Sequence, residues 1–149
     1  MSRKNIANYQ LFILKNKMKK TIAALVWALA LTLSAHADDV MKKQSDGTYV
    51  INTTTLCKDK GYKSTTPMEV HIKAGKVVKV VSLPNTESKG YYAKVEKNLV
   101  KKFDGMKVAK AKKLATEAKV DGCTGATMST RCVQKNVKAA LDYYQKHKK

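Results

Sequence analysis

The sequence has few of the residues that build thiol redox sites and metal sites. Only three cysteines and three histidines occur among its 149 residues. There is no Cys-x-x-Cys segment, which excludes a thioredoxin-type dithiol and a covalent haem attachment motif. Beyond residue 37 the only histidines are His71, in a strand pattern, and His147, in a lysine-rich tail. We therefore predict neither a metal site nor a catalytic nucleophile–base–acid set.

Acidic residues are scarce as well, with 11 Asp and Glu against 30 Lys and Arg. The first 37 residues hold six of these basic residues and no acidic one, so the remaining chain has a net charge of +13. Such a surface favours acidic proteins, anionic cofactors or membranes. Its lysines are dispersed rather than interleaved with exposed aromatic residues, which, together with the export signal described next, argues against nucleic-acid binding.

The chain lacks an apolar run long enough to span a membrane comfortably. The apolar segment Thr21–Ser34 is shorter than the roughly 20 residues that a spanning helix needs. It follows the basic start Met18-Lys19-Lys20 and precedes Ala35-His36-Ala37, a pattern typical of a cleaved signal peptide. We predict a signal peptide over residues 1–37, with Met18 as an alternative start and an uncleaved anchor as the less favoured reading. The mature protein, residues 38–149, would then be one periplasmic or cell-surface domain.

Export would bring the three cysteines into an oxidising compartment, where at most one pair can close within the chain. Cys123 and Cys132 bracket a short loop, and a disulfide between them is one alternative. Free thiols are the other, and the sequence does not decide between them.

The patterns along the mature chain place strands first and helices later. The segment Asp46–Thr53 predicts a strand, and Met68–Leu83 predicts a hairpin with one buried face and a turn at Ala74–Lys76. The doubled valines of the second hairpin strand break strict alternation, which indicates either a bulge or a strand buried on both sides. We predict helices from Tyr91 to Phe103, over Lys107–Lys119, and from Arg131 to about His147. This order indicates an α+β fold, a small antiparallel sheet packed with two to three helices.

One segment, "DGCTGATMST" from Asp121 to Thr130, carries small residues and hydroxyls where the rest of the chain carries lysine and valine. We expect Ser129 or Thr130 to cap the last helix. A helix N-terminus also suits a phosphate, and Gly125 and Ala126 leave room for one to approach the backbone. An ordinary capped turn is the alternative interpretation.

The order of residues in this segment resembles a known motif. Asp121-Gly122-Cys123-Thr124-Gly125-Ala126-Thr127 fits the pattern Asp-x-x-(Ser/Thr)-Gly-Ala-(Thr/Ser) of the FMN-binding domain family, to which the flavin-bearing C subunit of the sodium-pumping NADH:quinone reductase and the G subunit of Rnf complexes belong. The resemblance implies that a separate Mg²⁺-dependent flavin transferase cleaves FAD and joins FMN to Thr127 through a phosphoester. It also implies cofactor contacts from the other motif residues and their neighbours, which are Asp121, Thr124, Gly125, Ala126, Met128, Ser129 and Thr130.

Outside the motif the resemblance is thinner. Many relatives have a Glu-Thr-Pro-Gly-like turn near the flavin, whereas this chain keeps only Glu87 and Gly90 of it. Glu87 is a candidate cofactor contact, and Tyr91 could stack on the isoalloxazine ring. Tyr92, at helical spacing, is better placed for the core.

The resemblance implies an exported electron carrier rather than a self-contained enzyme. FMN would exchange electrons between membrane or periplasmic redox partners, and the basic surface would favour acidic ones. The alternative is a non-redox exported module that binds FMN loosely or not at all.

Overall fold

The described part of the computed structural model, residues 40–149, begins with a four-stranded antiparallel sheet. The strands are β1 (Met41–Lys43), β2 (Tyr49–Asn52), β3 (Met68–Lys73) and β4 (Lys76–Ser82), and each pairs with the next along the chain. Strand β1 is short and was not predicted. The predicted signal peptide and its boundary after Ala37 lie outside the described residues.

The predicted hairpin is confirmed. In β3 the residues Met68, Val70 and Ile72 are buried, and they alternate with residues of the other face. In the ladder with β4, His71 pairs with Lys79 but Ile72 pairs with Val77, so Val78 has no partner. This is a β-bulge, and it is the reason why the doubled valines are not buried on both sides.

Three α-helices follow the sheet, which confirms the α+β fold: α1 (Lys89–Asn98), α2 (Val108–Leu114) and α3 (Thr127–His147). The predicted helix from Tyr91 to Phe103 is wrong in its second half, because a 3-10 turn over Val100–Phe103 replaces the α-helix. The apolar residues at helical spacing are nevertheless buried: Tyr92, Val95, Leu99 and Phe103. Within residues 40–149, no helix is long and apolar enough to cross a membrane.

Helix α2 is also shorter than the predicted Lys107–Lys119. The Thr116 hydroxyl donates hydrogen bonds to the carbonyl oxygens of Lys112 (3.1 Å) and Lys113 (2.8 Å). The backbone N–H of Thr116 donates to the same Lys113 oxygen. These contacts with a residue three positions earlier close the last turn tightly and end the helix at Leu114.

Helix α3 begins at Thr127, four residues before the predicted Arg131. Its N-cap residue is Ala126, and no side chain caps it, so the predicted cap by Ser129 or Thr130 is wrong. Both hydroxyls lie inside the first turn and have other acceptors: Ser129 donates to Glu87, and Thr130 donates to the carbonyl oxygen of Ala126. The helix has a buried apolar stripe that packs against β2 and β3, made of Val133, Val137, Ala140, Leu141 and Tyr144.

A buried polar network joins α3 to the sheet. Asn136, fully buried on α3, accepts a hydrogen bond from the Thr53 hydroxyl at 2.6 Å. The Thr53 oxygen in turn accepts one from the backbone N–H of Met68 at 2.8 Å, at the start of β3. Asn136 also donates to the carbonyl oxygen of Cys132. The network fixes the helix in register against both central strands.

We expect Asn136→Ala to lower the free energy of unfolding by about 1–3 kcal/mol, because the buried Thr53 hydroxyl loses its acceptor. Urea denaturation near neutral pH measures this change. Lys146→Ala, on the exposed last turn of the same helix, is the matched control and should stay within about 0.5 kcal/mol of the unaltered protein. Equal effects of the two substitutions would contradict a structural role for the network.

Candidate functional site

Thr127, the first residue of α3, is exposed to solvent. The chain reaches it through Gly125, whose φ of 82° lies in the left-handed region that favours glycine. A Cβ at this position would also lie 3.1 Å from Cε1 of Tyr91. Glycine therefore allows both the turn into the helix and the close contact with the tyrosine ring.

The first turn of α3 offers backbone donors next to that hydroxyl. Thr130 is the first residue whose N–H finds a backbone acceptor, the carbonyl oxygen of Ala126 at 2.9 Å. Among residues 40–149 no acceptor meets the N–H groups of Thr127, Met128 and Ser129. Unpaired N–H groups at a helix N-terminus carry partial positive charge and suit an anion.

A cleft of about 530 Å³ opens on one side of Thr127. We call it the larger cleft; it lies between the loop that carries Tyr62 and Lys63, the start of α1, and the first turn of α3. Tyr62, Tyr91 and Met128 line it with 68%, 53% and 56% of their surfaces exposed. These are three of the five large apolar side chains that are exposed in the described part of the chain, so uncovered apolar surface is concentrated here.

Tyr91 is held in place as a wall of the larger cleft. One edge of its ring lies so close to Gly125 that a Cβ on that residue would be 3.1 Å from Cε1. The ammonium group of Lys94, one turn further along α1, lies 5.3 Å from the ring centroid, a cation–π distance. These two contacts place the ring beside the turn that leads to Thr127.

Glu87 fixes the opposite wall. Its buried carboxylate accepts hydrogen bonds from the backbone N–H groups of Tyr62 (3.2 Å), Lys63 (2.7 Å) and Ser64 (2.8 Å). It also accepts one from the Ser129 hydroxyl on α3. Gly61 makes this approach possible, because a Cβ there would lie 2.9 Å from the Glu87 carboxylate. One side chain thus joins the loop that carries Tyr62 to the helix that carries Thr127.

The same contacts keep Glu87 ionised. Burial raises the pKa of its carboxyl group, but the hydrogen bonds from Ser129 and from the three backbone N–H groups outweigh burial and hold the pKa below its usual value of 4.5. At neutral pH the cleft therefore contains a buried negative charge whose lone pairs are largely satisfied.

A second cleft, of about 200 Å³, lies on the other side of Thr127. This smaller cleft shares Gly125 and Thr127 with the larger one. Its further lining includes Lys119, Thr124 and Arg131, and no carboxylate. Thr127 therefore stands between a large cleft with aromatic walls and a small basic one.

The structure brings most of the predicted site residues together. The larger cleft is lined by Glu87, Tyr91, Gly125, Ala126, Thr127, Met128 and Ser129, and the smaller one by Thr124 and Thr130, with Gly125 and Thr127 common to both. Asp121 is exposed and lines neither cleft. Five further lining residues were not predicted from the sequence: Tyr62, Lys63, Ser88, Lys119 and Arg131. Arg131 falls on the face of Thr127 only because α3 begins at Thr127 and not at the predicted Arg131, and the loop around Tyr62 had no signal in the sequence.

The three cysteines carry free thiols. All three are buried and free, so the disulfide considered between Cys123 and Cys132 is not formed. The Cys132 thiol points to the carbonyl oxygen of Asp59 at 3.0 Å, and the Cys123 thiol points to that of Lys94 at 3.9 Å. Burial raises the pKa of the Cys57 thiol, the reverse of the activation that a nucleophile requires. In residues 40–149 no three His, Cys, Asp or Glu side chains form a group that could hold a metal ion.

The model of the FMN-binding domain family matches residues 61–142, more than half of the chain. The match includes the β3–β4 hairpin, all of α1 and α2, and α3 as far as Asp142, and it confirms the resemblance first drawn from the motif. No curated protein and no solved structure matches the chain.

We expect Glu87→Gln to destabilise the protein by roughly 1–3 kcal/mol at neutral pH, because an amide NH₂ would face backbone donors. The lowered pKa means that the Glu87 charge stabilises the fold above about pH 4.5 and that this contribution is lost as pH falls through the folded-state pKa. The difference in unfolding free energy between the two proteins should therefore shrink in acid, as urea denaturation across a pH series would measure. Glu117→Gln, at an exposed carboxylate, is the control; a difference for Glu87→Gln that does not depend on pH would contradict this assignment.

Proposed function

The chain belongs to the FMN-binding domain family, and on that basis we propose that it is an exported electron-carrier flavoprotein whose FMN is joined to Thr127 by a phosphoester. FMN is accordingly its cofactor. The observation that supports attachment at Thr127 most directly is the exposed hydroxyl at the boundary of the two clefts, beside three unpaired backbone N–H groups.

The surroundings of Thr127 suit attachment by another enzyme. The residue must enter the active site of a flavin transferase, and the slender neighbours Gly125 and Ala126 allow this approach. We propose that the Thr127 oxygen attacks the FMN phosphorus of FAD. The bond from phosphorus to the bridging oxygen of AMP breaks, AMP leaves, and the hydroxyl proton passes to a base of the transferase.

The larger cleft suits the isoalloxazine ring. Its volume of about 530 Å³ falls in the range of small-molecule and cofactor sites, roughly 300–1,000 Å³. Tyr62 and Tyr91 offer aromatic faces on which a flat ring system can stack. When bound, FMN supplies the redox chemistry, and the chain positions it and sets its electrostatic surroundings.

Export and electron carriage rest on the remainder of the sequence. The signal-peptide pattern of residues 1–37 supports export to the periplasm or the cell surface. The net charge of +13 beyond it supports docking to acidic redox partners at or near the membrane. No catalytic set accompanies the flavin site in the sequence, which supports a carrier rather than an enzyme.

The first test is the covalent bond itself. We expect the protein produced with an active flavin transferase to gain the mass of one FMN less one water, with flavin fluorescence that survives denaturing electrophoresis. Thr127→Ala should lose both signals completely, because no oxygen remains to attack phosphorus, and Thr127→Ser should keep them. Intact-mass spectrometry of the three proteins gives the answer; an unmodified wild-type protein would favour the non-redox binding module instead.

A second test concerns the stacking faces. Tyrosine close to a flavin quenches its fluorescence, so Tyr62→Leu and Tyr91→Leu should each make the attached flavin several-fold brighter and shift its absorption band. Tyr92→Phe is the matched control, since Tyr92 is buried and donates its hydroxyl to Ser82, away from the larger cleft lining. Fluorescence lifetimes of the flavinylated proteins measure the effect. Unchanged lifetimes in both leucine variants would exclude the larger cleft as the position of the ring.

A further inference from the structure

Arginine is almost absent from this basic protein. Of the 24 basic residues beyond residue 37, 23 are lysine and one is arginine, Arg131. All the other basic residues beyond residue 37 are lysines, so a need for positive charge alone does not explain the arginine at position 131. The guanidinium group differs from the lysine ammonium in its planar fork of donors, which matches the oxygens of a phosphate or a carboxylate in bidentate fashion.

Arg131 lies on the same face of α3 as Thr127. The two residues are four positions apart on one helix, a spacing that brings Cβ atoms to about 5–6 Å from each other. Both line the smaller cleft. The only arginine of the described chain therefore stands one helical turn from the predicted attachment oxygen.

The guanidinium group is unused within the fold. Arg131 is exposed, and its side chain makes no hydrogen bond, ion pair or ring contact with any residue of 40–149. Lys135, one turn further along α3, shows the contrast, because its ammonium group pairs with Asp59 at 2.8 Å. No carboxylate lines the smaller cleft to occupy Arg131 in the same way.

The wall that faces Arg131 is fixed by two side chains, one from α3 itself and one from α1. Gln134, buried on α3, donates hydrogen bonds to the carbonyl oxygens of Leu114 (2.9 Å) and Glu117 (3.0 Å). Asn98, the last residue of α1, donates to the carbonyl oxygen of Gly122 at 2.8 Å. The segment between these contacts carries Lys119, a second cation in the lining. The smaller cleft is therefore a formed feature with two cationic side chains and no anionic one.

We propose that the smaller cleft is the phosphate subsite of the flavin site, in which Arg131 binds the free oxygens of the FMN phosphate while the ring occupies the larger cleft. The proposal rests on the proposed function for the identity of the ligand. The smaller volume, about 200 Å³, suits a phosphate but lies below the roughly 300 Å³ at which cofactor sites begin. Lys119 adds charge to the subsite, and Arg131 provides the bidentate contact.

Comparison of FMN with riboflavin isolates the phosphate. The full chain, purified from a host without a flavin transferase, is titrated with each flavin, and flavin fluorescence reports binding. We expect the wild type to bind FMN about tenfold or more tightly than riboflavin, since hydrogen bonds to charged groups are the stronger class. Arg131→Gln should abolish this preference and leave the affinity for riboflavin unchanged. Arg131→Lys should keep part of it, because the charge stays and the fork is lost.

Lys135→Gln is the matched control, one turn away on the same helix and with the same loss of one charge. It should retain the wild-type preference for FMN. A preference that survives Arg131→Gln, an equal loss of both flavins in that variant, no preference in the wild type, or no binding of either flavin would each overturn the proposal. Circular dichroism of each variant confirms that the fold is unchanged.

The flavinylated protein provides a second measurement. Time-resolved anisotropy of the attached flavin should show a larger amplitude of fast motion in Arg131→Gln than in the wild type or Lys135→Gln, because the phosphodiester has lost its anchor. Equal amplitudes in all three proteins would overturn the proposal. The proposed function is judged separately by the mass gain at Thr127, which can be complete in every one of these variants.

Discussion

The candidate site depends on one buried carboxylate. Glu87 stands just before α1, yet its oxygens accept hydrogen bonds from the loop at Tyr62–Ser64 and from Ser129 on α3. These contacts fix the loop beside the first turn of α3, while Asp59, just before the loop, is held further along the helix by the Cys132 thiol and by Lys135. The loop needs such an anchor because Tyr62 is exposed and Gly61 contributes no side chain to the core. A charged group with several donors is a strong anchor, and it is also one that acid can weaken.

The sheet and α3 form the rigid part to which this anchor is tied. The apolar stripe of α3 packs on the inner faces of β2 and β3, and the Thr53–Asn136 contact fixes its register there. The first turn of α3 extends beyond this packed region, so Thr127 and Met128 are exposed while Ser129 and Thr130 are buried. The helix thus presents the exposed residue Thr127 from a packed framework.

The sequence predicts those parts of this arrangement that follow from local periodicity. Alternation in Met68–Lys73 reveals the hairpin, the spacing of apolar residues reveals the buried face of α3, and the order of residues up to Thr127 reveals the family. The start of α3 is not predicted, because a hydroxyl residue looks the same whether it caps a helix or hydrogen-bonds a distant side chain. The Ser129 hydroxyl donates a hydrogen bond to a distant side chain, Glu87, which lies 42 residues earlier in the chain. Tyr62 likewise joins the site only through a carboxylate 25 residues away, a contact that no local pattern encodes.

The charges around Thr127 also favour one orientation of FMN over the reverse. FMN has an anionic phosphate at one end and an oxidised ring system without charge at the other. The lining of the larger cleft includes one carboxylate, Glu87, and one cation, Lys63, whereas the smaller cleft has Lys119 and Arg131 and no carboxylate, which makes the smaller cleft the more favourable one for a phosphate. Both clefts meet at Thr127, the residue to which we assign the tether. A phosphoester at that oxygen would place each end of FMN on the side that suits its charge, without any rearrangement of the chain.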